Sequence, residues 1–180
     1  MAQIGLKNLY YATVTEDKTT GTTYGDPVRI AGLININVQP SINTNTLHAD
    51  DVPWATNTSL NEITVSIETA DLSDAAVAAL LGHEITDGTI KYKGDDEAPY
   101  VALLFESEKD DGGVRFVKLL KGKFHDSDEE LQTKGDQIEY QTPSIEGTFI
   151  CRESDGAWKL RKDVAKSGVA TARTSWFAAV

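Results

Sequence analysis

The sequence predicts a mainly β protein, a sandwich or partial barrel of about eight or nine strands with one flanking α-helix near residues 73–81. Three observations predict it. Two segments, Leu33–Gln39 and Glu62–Glu68, alternate sharply between an Ile/Val face and a face of Asn, Gln, Thr, Ser and Glu. Successive side chains of a strand point to opposite faces, so each segment has one face for a core and one hydrophilic face. Turn signals, Lys109-Asp110-Asp111-Gly112-Gly113 and Asp155-Gly156, punctuate short apolar patterns, and Asp-Gly tolerates the positive φ angles of tight hairpins. Only one stretch combines helical spacing with a cap.

Taken in order, Tyr10–Thr15 is a first strand, ended by the polar run Glu16 to Gly21. Leu33–Gln39 follows, and then Pro40 to Asn61, a polar connection without glycine. A plain hairpin needs two to five connecting residues, so this excursion reads as a functional arm or a long loop that contacts something. Its core, Ser41 to Leu60, includes Thr44, Leu47, His48, Asp50, Asp51 and Trp54. After the strand Glu62–Glu68 comes the helix: Ser73 caps the first turn, Asp74 complements the dipole, Leu72, Val77, Leu80 and Leu81 share a side, and Gly82 terminates it. Tyr100–Glu108 and Val114–Phe124 form a hairpin, followed by Gln137–Gln141, Ile145–Cys151 and Ala157–Lys162. Residues 1–163 make one domain. Beyond it, Val164–Val180 lacks patterning and reads as a C-terminal arm whose Trp176-Phe177 cluster docks on its own or a neighbouring subunit.

A chain of 180 residues, 40% hydrophobic, can bury a real core. No run approaches eighteen apolar residues, and the amino terminus lacks the blocks of a signal peptide, which places the protein in the cytoplasm or outside by cell lysis. The lone Cys151 lies on an apolar-facing strand pattern and reads as a small buried hydrophobe. The net charge of −11 argues against a protein that grips phosphates through basic patches. Residues 1–90, 91–140 and 141–180 carry −8, −5 and +2. That asymmetry suits head-to-tail association of identical subunits as well as an ordinary solvated surface.

Motifs for chemistry are absent. The acidic run Asp126–Glu130 resembles a calcium loop, but Leu131 stands where the sharp turn needs glycine and Gln137 where a bidentate carboxylate belongs. His83-Glu84 lacks the second histidine of a zinc protease, and His48, His83 and His125 show no zinc spacing. His48 with Asp50 and Asp51 offers a base and an orienting carboxylate only on what looks like an exposed arm. No cofactor, metal or enzymatic activity is expected.

Several pieces carry a resemblance. Ile4-Gly5-Leu6-Lys7-Asn8-Leu9-Tyr10-Tyr11-Ala12, Tyr24-Gly25-Asp26-Pro27, Leu47-His48-Ala49-Asp50-Asp51, Leu80-Leu81-Gly82, Pro99-Tyr100-Val101-Ala102, Lys121-Gly122-Lys123-Phe124 and Ile145-Glu146-Gly147-Thr148-Phe149 occur in order across residues 4–163. This set resembles the major tail proteins, or tail tube subunits, of long-tailed bacteriophages. The resemblance implies a tail-tube-like β-sandwich whose copies form hexameric rings, stacked into a hollow cylinder that conducts double-stranded DNA without binding it tightly. It also implies a long loop reaching an adjacent ring, which fits Ser41–Leu60 as the stacking arm. Implied partners are the chain itself and the tape measure, tail terminator and distal tail proteins. The virion tail, assembled in the host bacterial cytoplasm, is the implied location, with no membrane.

If the inner wall is made of polar strand faces, Asn35, Asn37, Gln39, Thr64, Ser66 and Glu68 line it, with Glu139 and Glu146 as further candidates. A neutral or acidic wall lets DNA slide, whereas a cationic one holds phosphates. Other readings are a tail-completion or capsid-decoration protein, and a carbohydrate- or cell-surface-binding sandwich using Trp54, Trp158 and Trp176.

Overall fold

The computed structural model describes residues 2–126 and 142–180. The expected strand Gln137–Gln141, the candidate Glu139 and most of the acidic run after Asp126 lie outside them. The fold class is mainly β and sandwich-like, and the sheet does not close into a barrel. Nine antiparallel strands form the main sheet: β1 (Gln3–Lys18), β2 (Gly21–Tyr24), β3 (Val28–Ile30), β4 (Leu33–Ala49), β5 (Val52–Thr69), β8 (Val101–Lys109), β9 (Val114–His125), β10 (Ser144–Phe149) and β11 (Lys159–Val164). Their order is β2-β1-β8-β9-β10-β5-β4, with β3 beside β1 and β11 beside β9. A separate hairpin pairs β6 (Glu84–Thr86) with β7 (Thr89–Lys91).

β1 is far longer than Tyr10–Thr15. Irregular register between Gln3 and Gly5 and between Lys7 and Tyr10, with Asn8 at φ 53°, breaks the alternation that marks a strand in sequence. The larger correction concerns Pro40–Asn61. It is not a loop between strands, because β4 and β5 run through it as one ribbon, paired from Leu33–Thr69 to Ala49–Val52 and joined by Asp50-Asp51 alone. Both aspartates have positive φ, 50° and 60°, as a two-residue hairpin turn requires.

One face of the sheet holds the main core. The rows Ile36–Ile67–Ile145 and Val38–Val65–Gly147–Phe124 cross β4, β5, β10 and β9, and Leu9, Tyr11, Val101, Leu103, Val117 and Leu119 extend that core. α1 (Asp74–Leu81) seals it with Ala76, Leu80 and Leu81. Its ends match the sequence reading: the Ser73 hydroxyl accepts from Ala76 N–H, and Gly82 at φ 78° donates to the Ala78 carbonyl. Gly122 is required for close packing, since a Cβ there would sit 2.4 Å from the Phe149 ring.

The opposite face is buried where β1, β8 and β9 meet, under a second helix that the sequence did not announce. α2 (Val169–Ala178) follows β11 through a short 3-10 turn and lays Trp176 against Phe116 and Phe177 against Tyr10. The terminal segment is therefore a docked helix rather than an unpatterned arm. Cys151 is exposed, contrary to its buried assignment, because β10 ends at Phe149 and the chain leaves the sheet before it.

Ion pairs fasten the periphery, and they set the acid response. The Asp17–Lys121 pair, 2.6 Å apart, is the most buried lysine–carboxylate pair among the described residues. Burial pushes the Asp17 carboxyl up, but hydrogen bonds from Lys121, Thr22 and the Glu153 N–H outweigh it, leaving a lowered pKa. Arg115 and then Lys109 lower Asp163. A lowered carboxyl contributes stability that is complete above its unfolded pKa and is lost as pH falls through the folded one. The melting temperature should hold steady from neutral pH to about 5 and fall below about 4. Calorimetry of Asp17→Asn should show a shallower fall than the wild-type chain, and parallel curves would show that the pair does not drive the loss.

Candidate functional site

Two surfaces stand out, the ribbon and the polar face at its base. From Gln39 to Glu62 every residue except Ala49 is exposed on both faces of the ribbon. The nine residues Ser41–Ala49 project about 30 Å at strand rise. Ser41, Thr44, Leu47, His48, Asp50, Asp51, Trp54 and Leu60 all lie on it. Thr44 faces Thr58, Leu47 faces Ala55, and a register shift between Leu47 and His48 leaves Trp54 without a direct opposite, 71% exposed. Ile42, Leu47, Val52 and Leu60 are also open. Between Leu33 and Asn61 the only acids are Asp50 and Asp51 at the tip, and there is no lysine or arginine.

An isolated two-stranded ribbon is marginal in water, and natural edge strands are usually guarded by charges or proline. Beyond Ile63, β5 pairs only with β4 among the described residues, so both outer edges of the ribbon present backbone groups that no described strand takes up. Pro40 and Pro53 interrupt these strands, and the apolar side chains along the ribbon stand open to solvent.

At the base, the predicted lining residues do share a face. Asn35, Glu68 and Ser144 form one cross-strand row, Asn37, Ser66, Glu146 and His125 a second, and Gln39, Thr64, Thr148 and Lys123 a third. Glu68 accepts from the Thr142 hydroxyl. The sequence reading missed His125, Lys123 and Thr148. Alternation through Lys121-Gly122-Lys123-Phe124-His125 and Ile145–Phe149 carried that signal. Lys123 is not a free cation, because Glu97 binds it at 2.8 Å and it lies over the Tyr100 ring. The Glu97 hydrogen bond raises the Lys123 pKa above its ordinary value. With that pair neutral, Glu68 and Glu146 leave the face weakly acidic.

Trp176 and Phe177 are spent within the chain. Phe177 stacks on Tyr10 at 4.7 Å, and Trp176 lies 5.9 Å from Phe116. Beneath them Glu106, buried to 1% exposure, takes Arg173 and the Asn8 amide, and Lys118 donates to the Ala179 carbonyl. Burial lowers the Lys118 pKa. Trp158 packs against the main core. Of the three tryptophans only Trp54 is open, so they do not form a stacking platform for sugars.

The nearest approach to catalytic geometry is His83, whose Nδ1 lies 2.7 Å from Asp96 and whose Nε2 lies 3.7 Å from Asp126. That Nε2 is buried and has no hydrogen-bond partner among the described residues. His48 sits near the ribbon tip and is exposed. No group of three or more His, Cys, Asp or Glu suited to a metal occurs among the described residues, and no described helix is long and apolar enough to cross a membrane. No protein-family model matches the chain, and no curated protein matches its sequence. Function is therefore read from these surfaces.

Proposed function

We propose that this chain is a self-assembling structural subunit of the phage tail tube type, forming rings that stack into a hollow cylinder for DNA. The observation that carries the reading is the ribbon, a two-stranded arm of about 20 residues whose only acids are Asp50 and Asp51 at the tip, with exposed Ile42, Leu47, Val52, Trp54 and Leu60 along it. Its size matches one side of a standard protein interface. The weakly acidic polar face at its base suits a wall past which phosphates slide. Six-fold symmetry and passage of the genome come from the resemblance of the sequence to tail tube subunits. So do the tape measure, terminator and distal tail partners, and the virion location.

Negative-stain electron microscopy of the concentrated protein tests the proposal directly: stacked rings or hollow tubes support it, and a persistent monomer counts against it. The wall has its own test. Glu68→Lys with Glu146→Lys should leave tube assembly intact and slow genome ejection severalfold, more at low salt, because added cations bind phosphates. Ejection at the wild-type rate in virions carrying both changes would remove these residues from the wall.

A further inference from the structure

We propose that the open edge of β11, with Lys159, Arg161 and Lys162, is the receptor for the ribbon tip of a second copy of this chain. The proposal deepens the tube reading by naming the surface on which the arm docks, and it rests on that reading for the larger assembly.

β10 and β11 run along the same edge of β9. Phe149 pairs with Gly122, Ile150 N–H donates to the Lys121 carbonyl, Leu120 N–H donates to the Trp158 carbonyl, and Lys159 pairs with Leu119. The loop 151–157 interrupts what is otherwise one strand position. On the far side, β5 pairs with β10 as far as Ile63–Phe149 and then departs as the ribbon, paired only with β4. Among the described residues no strand pairs with the outer edge of β11.

The uncovered edge is basic and partly apolar. Lys159, Leu160, Arg161 and Lys162 are exposed, Leu160 to 39%. Asp163, the adjacent acid, is already held by Arg115 and Lys109. Among the described residues none of the three cations has an acidic partner. Lys159 is exposed along its length, but partial desolvation of its ammonium and, after it, repulsion from Arg161 and Arg115 lower its pKa; an arriving carboxylate offsets the repulsion. This is the basic third of a strongly acidic chain.

The ribbon is complementary in each respect. Its open edges supply main-chain partners for strand addition. Asp50 and Asp51 supply the carboxylates, with no cation beside them to compete. Leu47, Val52 and Trp54 supply apolar surface for Leu160. Tip and receptor are different patches, so the contact is head-to-tail and propagates instead of closing as a symmetric dimer.

Two variants test this. Lys159→Glu/Arg161→Glu/Lys162→Glu removes the receptor and keeps the tip. Asp50→Asn/Asp51→Gly neutralises the tip with a pair well suited to the same turn. Each alone should raise the concentration needed for assembly by roughly tenfold or more. An equimolar mixture should form a one-to-one complex in sedimentation, since one variant still donates a tip and the other still offers an edge. That complex should weaken as salt is raised, because the contact is between exposed charges. If the triple glutamate does not fold, Lys159→Gln/Arg161→Gln/Lys162→Gln replaces it with the same expectation. Tubes formed equally well by the receptor variant would overturn this interface and leave the tube reading standing. Complementation in the mixture without rings or tubes from the wild-type chain would do the reverse. A wild-type chain monomeric at every concentration would overturn both.

Discussion

Deleting Thr44–Asn57 and closing the shortened ribbon with an Asn-Gly turn should abolish tube formation and leave a folded chain, as monomers or single rings. None of the deleted residues is buried except the half-buried Ala49, so the core loses almost nothing. The expected change in melting temperature is within about 2–4 °C, the shift for roughly 1 kcal/mol in a domain this size. Assembly, by contrast, loses the 14 residues of the outer ribbon, at least about half of one standard interface side. Sedimentation and electron microscopy would separate the two effects, and intact long tubes from the deletion would refute the arm's role.

The second large effect is expected at the other end of the chain. Replacing Trp176 and Phe177 together by alanine should cost about 3–4 kcal/mol, lowering the melting temperature by roughly 10 °C. Both rings are half-buried against Tyr10 and Phe116, so their contribution is below that of fully buried aromatics. Removing α2 altogether should be worse, because the apolar sheet face around Tyr10 and Phe116 would meet water and Glu106 would lose Arg173. A truncated chain that melts like the full one would mean that α2 docks too weakly to matter. Arg173→Ala alone isolates the charge. It should destabilise by about 1–3 kcal/mol, since water reaches the half-exposed guanidinium site.

The two halves of the ribbon show why part of it was legible. Leu33–Gln39 and Glu62–Glu68 alternate because one face lies on the core, and an alternating pattern is the trace that burial leaves in sequence. Asn43-Thr44-Asn45-Thr46 opposite Thr56-Asn57-Thr58-Ser59 has neither face buried in the monomer. Nothing selects a period of two there, so a strand looks like a loop. The Asp50-Asp51 turn was overlooked for a related reason: Asn-Gly and Asp-Gly advertise such turns, whereas two aspartates do so only weakly. α2 was hidden differently. Its outward residues are small, and its docked side is a few aromatics and one arginine aimed at a sheet face that is apolar only locally.

By itself, the sequence determined the β class, the capped helix after Ser73, the hairpin at Asp111-Gly112, the polar and apolar faces of β4 and β5, and an arm between them. These follow from local rules: side-chain period, turn conformations and capping chemistry. The tertiary structure alone decided that the arm is a ribbon, that His125 and Lys123 join the polar face, that Trp176 and Phe177 are consumed within the chain, and that β11 has an open basic edge. Each of those depends on which strand lies beside which, and strand neighbours are fixed by contacts between residues far apart in the chain, which no local period records.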